Sequence, residues 1–397
     1  MKKIKLILTI ILLAVATGCK REKQPTDDII IVDVTKSYSP KKELILQDIL
    51  DVEYIVLETN DEFICQGIVL AVGKQIILVR NRVDDGNIFV YDRNGKGLRT
   101  INRKGQSSED YFHPTEAILD EDNDEIIVND FIGGKIVIYD LYGNFKRNFK
   151  NDDPRYRGLF KIDRDKFICF DRFIDDKFYA GEQSYHAVIS KEDRSIISEI
   201  QIPFKEKIET TAQFRDGNTR WTELIVYNPI IPFHGNWILT LPSSDTIYTY
   251  TTDNRLLPFI ARTPTIQYMD PAVFLFPQIL TEQYYFLQKV KKFDLKSFAD
   301  RAYENTQLLF DRKENTIHEC TIYNDDYLNN KVVDLSQQKL IGDDMAAWNI
   351  IEAYALVEDY EKGNLKGKLQ EIASKLDEED NPVIMLLKHK KKLLNSR

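Results

Sequence analysis

Two short clusters carry the side chains best suited to chemistry. Tyr111-Phe112-His113-Pro114-Thr115-Glu116 sets an imidazole just ahead of a carboxylate, and Pro232-Phe233-His234-Gly235-Asn236-Trp237 gathers an imidazole, an amide and an indole. An imidazole and a carboxylate can trade a proton. An exposed indole beside His and Asn can stack on a sugar ring or on a partner's side chain. Glu116, Asn129, Asp130, Asp163 and His234 are conceivable ligands for a divalent metal that would activate water or polarise a carbonyl. No fixed spacing joins them, and no metal or other cofactor is expected. Each candidate also has a plainer reading: Pro114 fixing a turn, His113 holding a backbone carbonyl, Trp237 buried in a core. Asp120-Glu121-Asp122-Asn123-Asp124-Glu125 is rich in oxygen ligands but lacks the glycine and spacing of a calcium loop, so it reads as a charged hairpin turn. No GxSxG, HExxH, P-loop or GxGxxG occurs.

Composition narrows the classes. The chain has 397 residues and a net charge of −9, with no Lys/Arg stripe. An acidic body without a basic footprint argues against nucleic acid. Lys388-His389-Lys390-Lys391-Lys392 is basic but short and terminal, and reads as a solvated ending. With 20 Tyr and 21 Phe the chain can build a large core. Cys65, Cys169 and Cys320 are widely spaced among apolar residues, without CxxC or CxxH, and read as buried thiols.

The elements that must position the clusters are strands. Ile88-Phe89-Val90-Tyr91-Asp92-Arg93-Asn94-Gly95-Lys96-Gly97-Leu98-Arg99 aligns with Ile136-Val137-Ile138-Tyr139-Asp140-Leu141-Tyr142-Gly143-Asn144-Phe145-Lys146-Arg147, with Ile, Tyr, Asp, Gly and Arg in step. In each copy a β-branched and aromatic run meets Asp-x-x-Gly, which supplies a tight hairpin. Another apolar run precedes each, at 76–79 and 125–128. Four strands in about 45 residues is the period of a propeller blade. Weaker copies follow, with turns at Glu192-Asp193, Asp253-Asn254 and Asp311 to Asn315. A last stretch, Ala347–Ile351 and Tyr354–Val357 read as strands, completes a sixth blade. Its outer strand is either Val383–Leu387 or the N-terminal Val52–Leu57. Leu365, Leu369, Ile372 and Leu376 fall on one face of a short C-terminal helix over residues 364–376, expected outside the last blade. A second short helix or a loop excursion is expected within 290–304.

The N-terminus carries Lys2, Lys3 and Lys5, an apolar run from Leu6 to Ala16, and then Thr17-Gly18-Cys19. That order is a secretory signal, because the apolar run is too short to span a bilayer. Ala16-Thr17-Gly18-Cys19 resembles the lipobox of bacterial lipoproteins, in which the peptidase cuts before the cysteine and its thiol and new amine are acylated. Lys20 to Asp28 is polar and charged, and reads as a tether. The resemblance implies a protein held by lipid in the cell envelope, with the outer membrane the expected address.

Val52-Glu53-Tyr54-Ile55-Val56-Leu57-Glu58-Thr59, Gly105-Gln106-Ser107-Ser108-Glu109-Asp110-Tyr111 and Asn381-Pro382-Val383-Ile384-Met385 are similar to segments of a known family. It is the six-bladed β-propeller lipoproteins of diderm bacteria, relatives of NHL-repeat propellers. The central segment departs from the family's Gly-Gln-Gly-Pro-Gly-Glu-Tyr, so the loop cannot adopt every backbone turn of its relatives. The resemblance implies a fold and an envelope location, and little chemistry.

The expectations are therefore specific. The fold is all-β, a six-bladed propeller with a short C-terminal helix. Residues 1–18 are a signal peptide, 19–45 the lipidated Cys19 with its tether, and 46–391 the propeller. The function is that of a binding module for an envelope protein or a glycan, with Tyr111, His113, Glu116, His234, Asn236 and Trp237 as candidate contacts. The alternative is a metal-dependent hydrolase or lyase working in the channel.

Overall fold

A computed structural model describes residues 29–150, 158–170, 185–216, 219–292, 304–337, 339–340 and 345–390. The expected signal segment, Cys19 and the tether up to Asp28 lie outside these residues, as do positions 293–303 of the expected excursion.

The described chain is a six-bladed β-propeller. Blade one is Ile68–Val72, Ile76–Arg80, Asn87–Asp92 and Gly97–Asn102, and blade two is Glu116–Asp120, Glu125–Asp130, Lys135–Asp140 and Phe145–Lys150. Blade three is Gly158–Lys161, Lys166–Phe170, His186–Ser190 and Ile196–Ile200. A two-stranded hairpin, Thr211–Asp216 with Thr219–Leu224, separates it from blade four. Blade four is Ile230–Phe233, Asn236–Leu239, Thr246–Tyr250 and Leu256–Thr263; blade five is Val273–Leu280, Tyr284–Lys291, Glu304–Asp311 and Thr316–Tyr323. Blade six takes Lys339–Leu340, Met345–Ile351 and Val383–His389 from the C-terminal part and Leu50–Val56 from the N-terminal part. Both strands offered for the rim of this blade are used: Val383–His389 is third and Leu50–Val56 fourth, antiparallel from Val383↔Val56 to His389↔Leu50. Closure of the ring leaves no open blade edge between the termini.

The assignment of residues 19–45 to a tether needs correction from Ile30 onward. Ile30–Asp33 pairs in parallel with the outer strand of blade four, and Lys42–Ile45 in parallel with the outer strand of blade five. Both strands are four residues long, too short to show a period, and their partners lie far down the chain.

Packing follows from strand alternation. Successive side chains point to opposite faces, so in blade one Ile77 and Val79 join a core shared with blade six while Ile76 and Leu78 join one shared with blade two. The pattern continues round the ring, with an apolar cluster at each meeting of neighbouring blades. The second strands are covered on both faces, which is why Glu125–Asp130 is buried throughout. Cys65, Cys169 and Cys320 are all buried, as their apolar neighbourhoods indicate.

The hairpins at the blade rims show why the later repeats looked weak. Asp92 accepts the N–H groups of Asn94 and Lys96, and Asp140 those of Tyr142 and Asn144, with Gly95 and Gly143 at φ +85° and +87°. Ser190 takes the aspartate's place in blade three and Thr251 in blade four, while Asp311 keeps it in blade five. Arg194, Asn254 and Asn315 occupy the left-handed position instead of glycine. The turn chemistry persists with different residues.

Three helices are described: Leu46–Ile49, Ala353–Glu361 and Gly367–Ala373. Tyr354–Val357, expected as a strand, belongs to the second of these, because Ala353 and Leu356, one turn apart, are both buried, Leu356 in the cluster between blades five and six. The expected C-terminal helix is the third, with Leu369 and Ala373 in the same cluster.

Candidate functional site

All first strands run the same way, so residues that precede them gather at one mouth of the central channel. The hairpins joining first to second strands gather at the other. The channel holds a cavity of about 1300 Å³. Its wall is mainly apolar: Ile68 to Val72, Ala117 to Leu119, Leu159, Phe160, Ile230, Trp237, Met345 and Trp348. Phe131, Phe170, Tyr227 and Tyr250 add aromatic surface. Thr115, Glu116, Asn129, Asn228 and Ser336 supply polar groups toward the first mouth; Lys74, Asp122, Asp163, Lys166, Asn236 and Asn254 do so toward the second. Lys161 brings the lysines to three, equal to the carboxylates Glu116, Asp122 and Asp163. The charge is balanced, so the channel is no trap for a strongly charged ligand.

The second mouth is built on an ion cluster that spans two blades. Asp120, fully buried at the end of blade two's first strand, receives Lys161 Nζ at 2.5 Å and also Lys191 Nζ, both from blade three. Lys161 reaches Asp122 at 2.8 Å as well. Burial alone would raise the Asp120 carboxyl, but the hydrogen bonds from Lys161 and Lys191 hold it below the usual range. Glu121 crosses to blade one, where it accepts the backbone N–H groups of Lys74, Gln75 and Ile76. The charged run 120–125 is the hairpin turn expected of it, and its carboxylates tie blade two to both neighbours.

The six candidate contacts separate into three groups. Glu116, Asn236 and Trp237 line the channel. Trp237 is only 7 % exposed and packs in the core between blades three and four, the plainer of its two readings. His234 stands on the hairpin beside Asn236, about half exposed at φ +51°, with Nε2 3.3 Å from Glu282 of blade five. Asn236 Nδ2 donates to the His234 carbonyl at 3.2 Å.

Tyr111 and His113 do not reach the channel wall. Tyr111 is fully buried between blades one and two, edge-on to Tyr139 at 6.0 Å, and its hydroxyl donates to the Gly86 carbonyl at 2.6 Å. Its place as an exposed face contact is therefore corrected to a core role: the hydroxyl meets backbone, not solvent. Burial pushes this phenol up to about 12. His113 turns away from the lumen, with Nδ1 2.6 Å from Asp84 Oδ1. That bond, joined by Lys104, holds the Asp84 carboxyl below its usual range.

Of the conceivable metal ligands, Glu116, Asn129 and Asp163 face the channel at opposite ends. Asp130 is spent on the backbone N–H groups of Phe112, His113 and Gly133, and His234 faces Glu282. Among the described residues no group of three or more His, Cys, Asp and Glu side chains converges. Sequence reading passed over Phe131, Tyr250 and Trp348. Their signal was position: Phe131 follows a second strand, Tyr250 ends a third, and Trp348 lies within a second strand beside the short inner strand of blade six.

Comparison with known proteins adds a family and a fold. A family model described as a 6-bladed beta-propeller matches residues 20–344. No curated protein matches the chain. Among solved structures, a Bacteroides fragilis protein described as exported is similar at a TM-score of 0.60 and 16 % identity, over 92 % of this chain and 100 % of that one. A virginiamycin B lyase from Staphylococcus aureus is similar over 85 % of this chain and 99 % of that one, at 10 % identity and a TM-score of 0.39.

Proposed function

The chain belongs to the 6-bladed beta-propeller family, and from that premise we propose that it is a lipid-anchored binding module of the cell envelope whose central channel receives the ligand. The observation that carries the reading is the channel: about 1300 Å³ of mainly apolar and aromatic wall with amides and hydroxyls at its mouths. Ligand sites combine an apolar lining with a few placed polar groups, and those for drug-sized molecules run to about 300–1,000 Å³. A larger, charge-balanced lumen suits a segment of an envelope protein or a glycan, either of which can use aromatic faces and amide hydrogen bonds together. The anchor rests on Cys19 and its signal-like leader; an exported protein of the same fold supports a place outside the cytoplasm. Among the described residues no three carboxylates, imidazoles or thiols converge, which favours binding over metal-dependent hydrolysis or lysis.

Crosslinking in intact cells, followed by purification of the full protein, tests the proposal. A stoichiometric envelope protein or glycan should accompany it and be lost in Phe131→Glu, which charges one channel mouth. Recovery of the protein alone, or of the same companion undiminished in the variant, refutes the channel as the binding site.

A further inference from the structure

Around the first mouth, the loops that enter the first strands of blades one and two and the loops that follow their second strands expose an arc of apolar side chains. Ile64, Val83, Phe112, Phe131 and Ile132 are 39 to 61 % exposed. Hydrogen bonds tie their loops to one another. Gln66 Oε1 accepts the N–H groups of Arg82 and Val83 at 2.9 and 3.2 Å. The bond between His113 and Asp84 joins the entry of blade two to the same loop of blade one. Asp130 then holds the N–H groups of Phe112 and Gly133, at 2.6 and 3.0 Å. An ion pair between Arg82 and Glu352 carries the arc on to blade six, where Tyr354 is exposed on the helix Ala353–Glu361. By contrast, the described hairpins at the second mouth expose no large apolar side chain.

The aliphatic members decide the class of occupant. Ile64, Val83 and Ile132 neither stack on a sugar ring nor bond its hydroxyls, so a glycan would leave them unmatched. A lipid surface would cover them, but its anionic headgroups attract Lys and Arg and repel carboxylates. Asp61, Glu62 and Glu109 stand exposed on the same entry loops and form no ion pair among the described residues. Arg82 and Lys104 are already taken up by Glu352 and Asp84. Apolar side chains of another protein cover such an arc at no electrostatic cost. Phe131 also belongs to the channel wall, so the arc and the lumen are continuous. We propose, building on the channel reading, that the first mouth docks a segment of an envelope protein. That segment presents aliphatic or aromatic side chains to the arc, flanked by lysine or arginine for Asp61, Glu62 and Glu109.

Photoreactive benzoylphenylalanine placed at Val83, Phe112 or Ile132 of the full-length protein in intact cells tests the contact. None of the three lines the channel. The expected result is an adduct with the same protein at each position and none at exposed Gln75 on a second-mouth hairpin. The crosslinked peptide should be apolar with basic flanks. A synthetic copy of it should bind the purified protein several-fold more weakly after Glu62→Lys combined with Glu109→Lys. Adducts with glycan or lipid alone, no adduct at the three positions, an equal yield at Gln75, or peptide binding unchanged by the charge reversals overturns the docking face. Ile132→Glu separates the arc from the channel. Loss of the partner there with retention in Phe131→Glu upholds the arc and sinks the channel, and the reverse pattern sinks the arc alone.

Discussion

Asn381 binds the backbone N–H of Cys65 through its side-chain oxygen at 2.8 Å, across 316 positions of sequence. Its Nδ2 donates to the carbonyls of Glu58 and Phe63 at 2.8 and 2.7 Å. One amide, 1 % exposed, thus fastens the last blade to the chain that leads into the first.

Replacing that amide by an apolar group of similar size should be costly. Asn381→Leu strands the buried Cys65 N–H and Phe63 carbonyl, each worth about 1–3 kcal/mol when left unmet, together with the part-buried Glu58 carbonyl. The expected loss is about 3 kcal/mol or more, read from the urea midpoint at unchanged m-value. A loss below about 1 kcal/mol would mean that other contacts hold the junction.

The Asp120 cluster should behave as a buried ion pair. Asp120→Ala leaves buried Lys191 without its partner and Lys161 with Asp122 alone, and should cost about 3–5 kcal/mol. Adding Lys191→Met to that variant should restore part of the loss. If the double variant is no better than the single one, uncompensated charge is not the cause.

Two glycines with positive φ separate backbone strain from crowding. A Cβ on Gly95 would stand 1.9 Å from the Val56 carbonyl oxygen in the ring-closing strand, whereas one on Gly134 meets nothing within 4 Å. Gly134→Ala should cost only the left-handed penalty of about 1–2 kcal/mol. Gly95→Ala should cost clearly more, and chemical denaturation of the pair decides it; equal losses would contradict the close approach.

His186 makes stability depend on pH. It is 1 % exposed, 4.7 Å from the Phe170 ring, and burial lowers its imidazole from 6.5 to about 3. The folded protein keeps it neutral where the unfolded chain takes up a proton. Its contribution is complete above about pH 6.5 and declines as the pH falls toward 3, by up to about 1.4 kcal/mol per unit. His186→Phe should lose about 2 kcal/mol less than the native protein between pH 6.5 and 5, and identical slopes in urea titrations would rule the residue out.

Cys19→Ala tests the anchor. Acyl chains hold a membrane through about 0.8 kcal/mol per buried methylene, so losing the thiol should move the protein from the membrane to the soluble fraction. A variant that still sediments with membranes defeats the lipid assignment.

Much of the propeller was legible because its first two blades state their turns openly, with Asp92 and Gly95 repeated as Asp140 and Gly143. The later blades spell the same turns with Ser190, Thr251, Arg194 and Asn254, residues whose ability to bond a backbone N–H or tolerate positive φ shows only in place. Ile30–Asp33 and Lys42–Ile45 were hidden for another reason: their partners in blades four and five are more than 200 residues away, and four residues carry no period. Tyr111 misled because an aromatic residue at a loop end looks exposed until its hydroxyl is seen to meet Gly86. The channel was legible only as a place. Which aromatics face it depends on strand register, and a one-residue shift would exchange lumen for core.

The run from Ile30 to Val56 lies along the outer strands of blades four and five and then becomes the outer strand of blade six. Synthesis delivers it first and its partners last: Leu50 waits for His389. A ribosome that has completed blades one to three has made no strand against which this girdle can settle. The ring therefore closes only once Val383–His389 has been made, as a late event, and truncation anywhere before Val383 leaves Leu50–Val56 without its partner strand.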